Sequence, residues 1–355
     1  MKKNIFLKIL VAILVIVNIY CLVQSARSSE NNAKLAQNLI PDTTPGSGKD
    51  GTDAIVTGEQ FDKANVEVIP VGVDLYGITY NGRDRYVLVG ENGMVAFSYS
   101  SDAKTWDKRL WHSKSNLYAV TYGGDKYVAV GEGGTIITSE NGFEWQSGIS
   151  PSKNTLYGIV WDGEKFVAVG EKATVLLSYD GLSWKEIKID NLLCNFYGVS
   201  WNGNVLVAVG SYNGGRYEDG VVFTSVDGSQ WIEPLKGSSA IFSCSPLKSI
   251  ASDGKGFVAV GSMSGEGKIF SSPDGLNWEE VNTPVDGLRS IIWDNKCFLA
   301  TGNYRTVIKS TDGINWSKKV YPDIKISTFY GIASSGNQYV VIGEHGTTLV
   351  DTSEE

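Results

Sequence analysis

The sequence has 355 residues, of which 42% are hydrophobic and 20% are charged, and 41 of them are glycines. This composition is globular, and so many glycines without a collagen-like period indicate many tight turns. A formal net charge of −8 argues against a nucleic-acid ligand, and four cysteines without a CxxC pair or a Cys/His cluster argue against a disulfide scaffold or a zinc site.

The N-terminal residues have the pattern of an export signal or a membrane anchor. Lys2, Lys3 and Lys8 precede an apolar run over residues 9–23, and basic residues before a short hydrophobic stretch are typical of export. Residues 1–26 are therefore either a signal peptide, cleaved before Ala26, or an anchor that crosses the membrane through residues 5–23. Both alternatives place the rest of the chain outside the membrane. Residues 27–62 are polar, lack hydrophobic periodicity, and are predicted to form a flexible linker.

A repeat begins at residue 75. The phrase Leu-Tyr-Gly and its variants recur at intervals of 42, 39, 40, 51, 41 and 41 residues, counted between the second positions of the phrase. These second positions are Tyr76, Tyr118, Tyr157, Tyr197, Lys248, Arg289 and Tyr330. A period of about 40 residues is typical of propellers and solenoids.

Each repeat has the strand pattern of a propeller blade. In the third repeat, four short apolar segments over 156–161, 165–169, 174–178 and 185–189 are separated by glycine-containing turns, including Asp162-Gly163. The seventh repeat ends after its third strand, and an extra strand at 66–70 precedes the first repeat. We therefore predict an all-β, seven-bladed β-propeller of four-stranded blades over residues 63–355. Its last blade is closed by the N-terminal strand, which leaves no open edge.

A second motif, Ser-x-Asp-Gly-x-x-Trp, recurs at the end of six repeats, with Ala103 in place of Gly in the first and Asn141 in place of Asp in the second. Its Ser and Trp are Ser100 and Trp106, Ser139 and Trp145, Ser178 and Trp184, Ser225 and Trp231, Ser272 and Trp278, and Ser310 and Trp316. The motif resembles the Asp-box (BNR) repeat of sialidase-like propellers, and the chain also resembles photosystem II assembly-factor propellers. In the Asp-box family a residue usually separates Asp from Gly, and here the two are adjacent. The resemblance implies an architecture and not an activity; we expect the motif to staple a turn, with Trp packing between blades.

Candidate binding residues lie where the blades differ, at the face on which the innermost strands begin. We call this the upper face. The acidic and aromatic candidates are Glu91, Glu132, Glu171, Glu344, Tyr76, Tyr118, Tyr157, Tyr197 and Tyr330; the basic candidates are Lys248, Arg289, Arg305 and Arg216; Tyr212 belongs to an insertion in blade 4 over residues 211–220. Because Glu and Tyr recur at fixed offsets, a scaffold role remains open for them, with Glu capping its own turn. The cations do not recur.

These features favour a membrane-tethered or secreted binding or assembly module for a protein or glycan partner at the cell surface, without a cofactor. Cations on one arc favour a carboxylate-bearing partner. The alternative is a sialidase-like glycoside hydrolase, with Arg216, Arg289 and Arg305 as its arginine cluster. Against this alternative, no Arg-Ile-Pro segment lies near the first blade, sialidases have six blades, and the sequence has two histidines. No catalytic or metal-binding residue is assigned. Cys194 and Cys244 are either bridged or free, and Cys297 is expected to be a buried thiol.

Overall fold

The computed structural model describes residues 65–68, 72–111, 114–189, 193–212, 218–233, 241–282, 285–321 and 328–352. Seven antiparallel sheets surround a central channel, which confirms the predicted seven-bladed propeller. The strands of blades 1 to 3 are β2–β5 (Leu75–Tyr80, Tyr86–Gly90, Met94–Ser98, Trp106–Leu110), β6–β9 (Leu117–Gly123, Lys126–Gly131, Ile136–Ser139, Gln146–Ser147) and β10–β13 (Leu156–Trp161, Phe166–Gly170, Val175–Ser178, Lys185–Ile187). β1 (Asn65–Val68) belongs to blade 7.

Blade 4 consists of β14–β16 (Cys194–Trp201, Leu206–Tyr212, Gly220–Ser225). Blades 5 and 6 consist of β17–β20 (Leu247–Ser252, Phe257–Met263, Glu266–Ser272, Glu279–Val281) and β21–β24 (Leu288–Trp293, Phe298–Gly302, Thr306–Ser310, Ser317–Val320). Blade 7 contains β25–β27 (Phe329–Ser334, Gln338–Gly343, Thr347–Thr352) and β1. In blade 4 the outer position is occupied by a single bridge between Thr224 and Ile232 in place of a fourth strand.

The second strand of each blade is the centre of the core. Its residues are mostly apolar and buried on both faces of the sheet, as in Phe166–Gly170. Seven clusters of buried apolar side chains result, and each joins two neighbouring blades. The cluster between blades 7 and 1, for example, combines Val340 and Ile342 with Leu75 and Leu88. Apolar contacts therefore link every blade to the next, and they link blade 7 to blade 1.

The N-terminal strand closes the ring as predicted. β1 runs antiparallel to β27, with Val66 opposite Leu349 and Val68 opposite Thr347. The strand was predicted over 66–70, and the structure places it at Asn65–Val68. The predicted signal or anchor and the linker lie outside the described residues. Within the described part of the chain, no helix is both long enough and apolar enough to cross a membrane.

The Ser-Asp-Gly-Trp motif acts as a local staple, as expected. In blade 3, Ser178 Oγ accepts the N–H of Gly181 at 2.8 Å, and Asp180 Oδ1 accepts the N–H groups of Leu182 and Ser183. The Ser183 N–H contributes most to lowering the pKa of Asp180 to about 2. The indole N–H of Trp184 donates to the Gly181 carbonyl at 3.1 Å. The carboxylate is therefore satisfied within its own turn.

In blade 5 the glycine of this motif is required by its surroundings. Gly275 has φ +76°, and a Cβ there would lie 2.7 Å from Val207 Cγ2 of the preceding blade. Blade 1 has Ala103 at this position, also with a positive φ of 52°.

All three cysteines of the described residues are free thiols, so Cys194 and Cys244 are not bridged in this structure. Cys297 was expected to be buried and is half-buried.

Candidate functional site

A β-bulge at the start of each innermost strand builds the mouth of the channel. In blade 1 the pairing register shifts between Leu75 and Gly77, so that Tyr76 is the extra residue, and the same shift occurs in the other six blades. A bulge re-aims the side chain of its extra residue, and bulges are frequent beside functional sites. The seven residues thus presented at the channel, which we call the mouth ring, are Tyr76, Tyr118, Tyr157, Tyr197, Lys248, Arg289 and Tyr330.

The mouth ring is continuous. Its five tyrosines follow one another from Tyr330 through Tyr76, Tyr118 and Tyr157 to Tyr197, with ring centroids 5.3–5.5 Å apart. A cation is stacked at each end of this arc. Lys248 Nζ lies 4.2 Å from the centroid of Tyr197, and Arg289 Cζ lies 5.4 Å from that of Tyr330. Cation–π contacts of this kind hold the two charges at the mouth without neutralising them.

Lys248 and Arg289 occupy neighbouring blades at the same rim. Burial is the largest effect on the pKa of Lys248 and lowers it; Glu218 opposes this shift and Arg289 reinforces it. Lys248 is half-buried, whereas Arg289 is exposed, and Arg289 Nε donates to Asn303 Oδ1 at 3.0 Å. Across the described residues, neither cation has a carboxylate oxygen within 4.0 Å. Two positive charges therefore face the channel without an ion-pair partner there.

Below the mouth ring the channel is lined first by small residues and then by apolar side chains. The next residue of each strand is glycine or alanine in five blades, and Ser249 and Ser290 in blades 5 and 6. The layer after that consists of isoleucine and valine side chains, and the cavity has a volume of about 380 Å³. Blades 5 and 6 thus supply a cation and a hydroxyl each. The sequence-based candidates did not include these two serines. Alignment of the repeats would have identified them, because the other five blades have Gly or Ala at this position.

The glutamates of blades 1, 2, 3 and 7 support the loops of this face. Each begins a short 3-10 turn: Glu91–Gly93, Glu132–Gly134, Glu171–Ala173 and Glu344–Gly346. Glu171 Oε2 accepts the N–H of Thr155 at 3.0 Å, and Glu91 and Glu132 accept the corresponding N–H groups of Asp74 and Asn116. The expectation that each caps its own turn was therefore wrong for these three, which cap the loop before the innermost strand. Glu344 N–H donates to the Thr328 carbonyl.

Three of the ring tyrosines, Tyr76, Tyr157 and Tyr330, have raised pKa values and are neutral hydrogen-bond donors near neutral pH. Burial, followed by the charge of Asp74, raises the pKa of Tyr76 to about 12. Burial and then Glu171 raise the pKa of Tyr157, whose hydroxyl donates to Glu171 Oε1 at 3.1 Å. Burial and then Asp74 raise the pKa of Tyr330. These three tyrosines therefore offer aromatic faces and hydroxyl groups but no charge.

The remaining described candidates, Tyr212 and Arg305, lie at the end of β15 and in the β22–β23 turn. Tyr212 donates to Glu233, and Ser211 Oγ donates to Glu218 Oε2 at 3.2 Å. Arg305 lies in the β22–β23 turn with φ +62°. Arg216 lies outside the described residues, as does His112. Over the described ranges, no group of three His, Cys, Asp or Glu side chains is placed to hold a metal ion.

Seven antiparallel sheets around a channel with an open polar mouth define a β-propeller. The chain belongs to the DUF6242 β-propeller domain family, whose profile matches residues 77–286. No protein of curated function matches it in sequence.

Solved structures share this fold at low sequence identity. A structure of YCF48 bound to D1 peptide has a TM-score of 0.66 at 18% identity and covers 84% of this chain and 100% of its own. YCF48 from Cyanidioschyzon merolae has a TM-score of 0.59 at 16% identity, with coverages of 82% and 100%. The WD40 propeller domain of Doa1 has a TM-score of 0.60 at 12% identity, with coverages of 82% and 98%.

Proposed function

We propose that the chain is a binding module that takes an acidic segment of a protein partner at the mouth ring. The observation that carries this proposal is the pair of neighbouring cations, Lys248 and Arg289, which face the channel and form no ion pair with any described carboxylate. Such a pair is costly to hold together on its own, and a carboxylate between the two charges would relieve their repulsion. Ser249 and Ser290 add hydroxyl donors directly below.

The tyrosine arc supplies the rest of the binding surface. Five rings provide flat apolar faces with polar tips, which suit the aliphatic and amide parts of a peptide. The YCF48 structure is bound to D1 peptide, so a protein of similar fold binds a peptide. A glycan would use the same rings without the cations. Dependence on the cations therefore separates the two kinds of partner. The sialidase-like alternative also uses Arg289, and turnover of a glycoside substrate separates it from binding.

Charge reversal at Arg289 is the direct test. The purified propeller is first probed with an array of immobilised ten-residue peptides of varied acidic content, and the tightest binder is measured by fluorescence anisotropy. Arg289→Glu is expected to weaken that binding at least about tenfold, because a carboxylate would then face the ligand's carboxylate. Because Arg289 is exposed, the melting temperature should change by no more than about 3 °C.

Lys255→Glu is the matched control. Lys255 is exposed in the β17–β18 turn, at the opposite end of blade 5 from the mouth ring, and its reversal changes the net charge equally. Binding that falls equally in both variants would reflect net charge alone and would contradict the site. An array without any acidic binder, or a glycan ligand indifferent to Arg289→Glu, would overturn the proposed function.

We propose further that the propeller works outside the cytoplasm, tethered or released through the N-terminal apolar run. The basic residues before that run and the polar stretch at 27–62 support this location. Protease added to intact cells should then degrade the propeller, while a cytoplasmic marker survives. Full protection, lost only on lysis, would contradict the location.

We also propose that the Ser-Asp-Gly-Trp motif is a variant Asp box with one residue fewer between Asp and Gly. The contacts of its serine, carboxylate and tryptophan support this interpretation.

A further inference from the structure

The turn between β22 and β23 has an unusual sequence for its backbone. Tyr304 and Arg305 are its two central residues, and both have left-handed φ values, +52° and +62°. The corresponding turn of blade 5 has Ser264 and Gly265, with φ +50° and +95°. Two-residue hairpin turns of this type select Asn and Gly, because large side chains are strained at positive φ. Blade 6 therefore has two large side chains where smaller ones would be more stable.

This hairpin is connected directly to the mouth ring. Asn303, which precedes the turn, accepts a hydrogen bond from Arg289 Nε at 3.0 Å and donates its own N–H to the Gly287 carbonyl at 2.9 Å. Asn303 thus holds both the guanidinium group and the backbone two residues before it. The Nε donor is occupied, which leaves the two terminal nitrogens as the fork that binds a carboxylate with two parallel hydrogen bonds.

Tyr304 is the most exposed tyrosine beside this cation site, with 62% of its surface accessible. An exposed aromatic residue at a strained position, one residue from the side chain that holds Arg289, is poorly explained by stability. Strained residues of this kind concentrate at ligand sites, where the side chain has a use that outweighs its cost.

We propose that the β22–β23 hairpin is a recognition element for the acidic partner segment. Asn303 is a positioning residue that orients Arg289, and Tyr304 contacts the bound segment beside it. This inference rests on the proposed function and names the part of the upper face that selects the partner. The expected partner is a peptide. The guanidinium fork of Arg289 matches an acidic side chain of that peptide, and the aromatic ring of Tyr304 matches the peptide backbone beside it.

The test compares stability with affinity for the tightest-binding peptide of the array. Tyr304→Asn keeps the turn and relieves its strain, so the melting temperature is expected to rise by about 2 °C. The same change is expected to weaken peptide binding about fivefold or more. Tyr304→Phe keeps the ring and the strain, and should leave both measurements near the parent values. Ser264→Asn, at the same turn position of blade 5, is the control and should leave peptide binding unchanged.

A double-mutant cycle tests Asn303. Asn303→Ala is expected to weaken binding about fivefold in the parent but to have no effect in an Arg289→Ala background, because its role acts through that guanidinium. Equal losses in both backgrounds would mark Asn303 as merely structural. If the peptide requires Arg289 but binds Tyr304→Asn as tightly as the parent, the recognition hairpin is overturned while the proposed function stands. If Arg289 itself has no effect, the proposed function fails first.

Discussion

Deletion of residues 1–71 is expected to lower the melting temperature by at least about 10 °C relative to deletion of residues 1–60. Only the longer deletion removes β1, which pairs with β27 over four residues and closes blade 7. Without β1 the third strand of that blade becomes an unpaired edge, and the ring is no longer held by a strand from the other end of the chain. Several lost kcal/mol correspond to a shift of this size in a domain of nearly 300 residues. Differential scanning calorimetry of the two truncated proteins measures it.

The two truncations form their own control, because both lack the apolar N-terminal run. The exposed edge of β27 should also make the longer deletion aggregate sooner, which light scattering detects. A synthetic peptide of residues 61–71 should restore part of the lost stability by adding the missing strand, and a scrambled peptide should not. Equal melting temperatures for the two truncations would contradict closure by β1.

The blade count was predictable because it depends on spacing alone. The repeats are about 40 residues long, the seventh lacks a strand, and a spare strand precedes the first. Only one arrangement of these strands leaves every edge paired. The outer strand of blade 4 was predicted by analogy with the other repeats, and the structure has a single bridge there. The sequence does repeat the motif in this blade, but it does not show how much of the following segment pairs.

The mouth ring could be predicted as a set of positions but not as a geometry. Alignment of the repeats identifies Lys248 and Arg289 as the residues that replace tyrosine. The bulge that presents them is a shift of backbone register, and the strand pattern on either side of it looks continuous. The stacking of Lys248 on Tyr197 depends on the distance between neighbouring blades, which no local pattern contains.

The glutamates show a different limit. Their regular offset correctly indicated a capping role, but the N–H groups that they accept belong to residues about 16 positions earlier in the chain. Only the folded hairpin brings these groups together. Tyr304 could not be predicted from the sequence either, because a strained turn is recognised from its φ values and not from the sequence Asn-Tyr-Arg.

Asp351 is the buried counterpart of the motif serine. It lies opposite Tyr339, as Ser178 lies opposite Phe166 in blade 3, and it is the acceptor of a polar cluster between blades 6 and 7. Asp351 Oδ2 accepts hydrogen bonds from the hydroxyls of Tyr321 and Tyr339 and pairs with Lys319 Nζ at 2.5 Å. The carboxylate side chain is 7% exposed and that of Lys319 is 18% exposed. Burial is the largest cause of the raised pKa of both tyrosines.

Asp351→Ala is therefore expected to destabilise the protein by about 3–5 kcal/mol, the range found when one partner of a buried ion pair is removed. The loss arises because Lys319 loses this carboxylate partner while it keeps its charge, and because two buried hydroxyls lose the acceptor that they share. Urea unfolding of the 1–60 deletion protein, which retains β1, measures the change.

Glu280→Ala is the matched control for this substitution. Glu280 also pairs with a lysine of a neighbouring strand, Lys268, at 2.7 Å, but it is 44% exposed, so its loss should cost less than about 1 kcal/mol. The double variant Asp351→Ser with Lys319→Ile reproduces the residues that blade 3 has at these positions, Ser178 and Ile187. Because it removes both charges together, it should recover at least half of the stability lost in Asp351→Ala. If Asp351→Ala cost no more than Glu280→Ala, or if the double variant were the least stable of the three, the cluster would not be a buried ion pair that secures the closing blade.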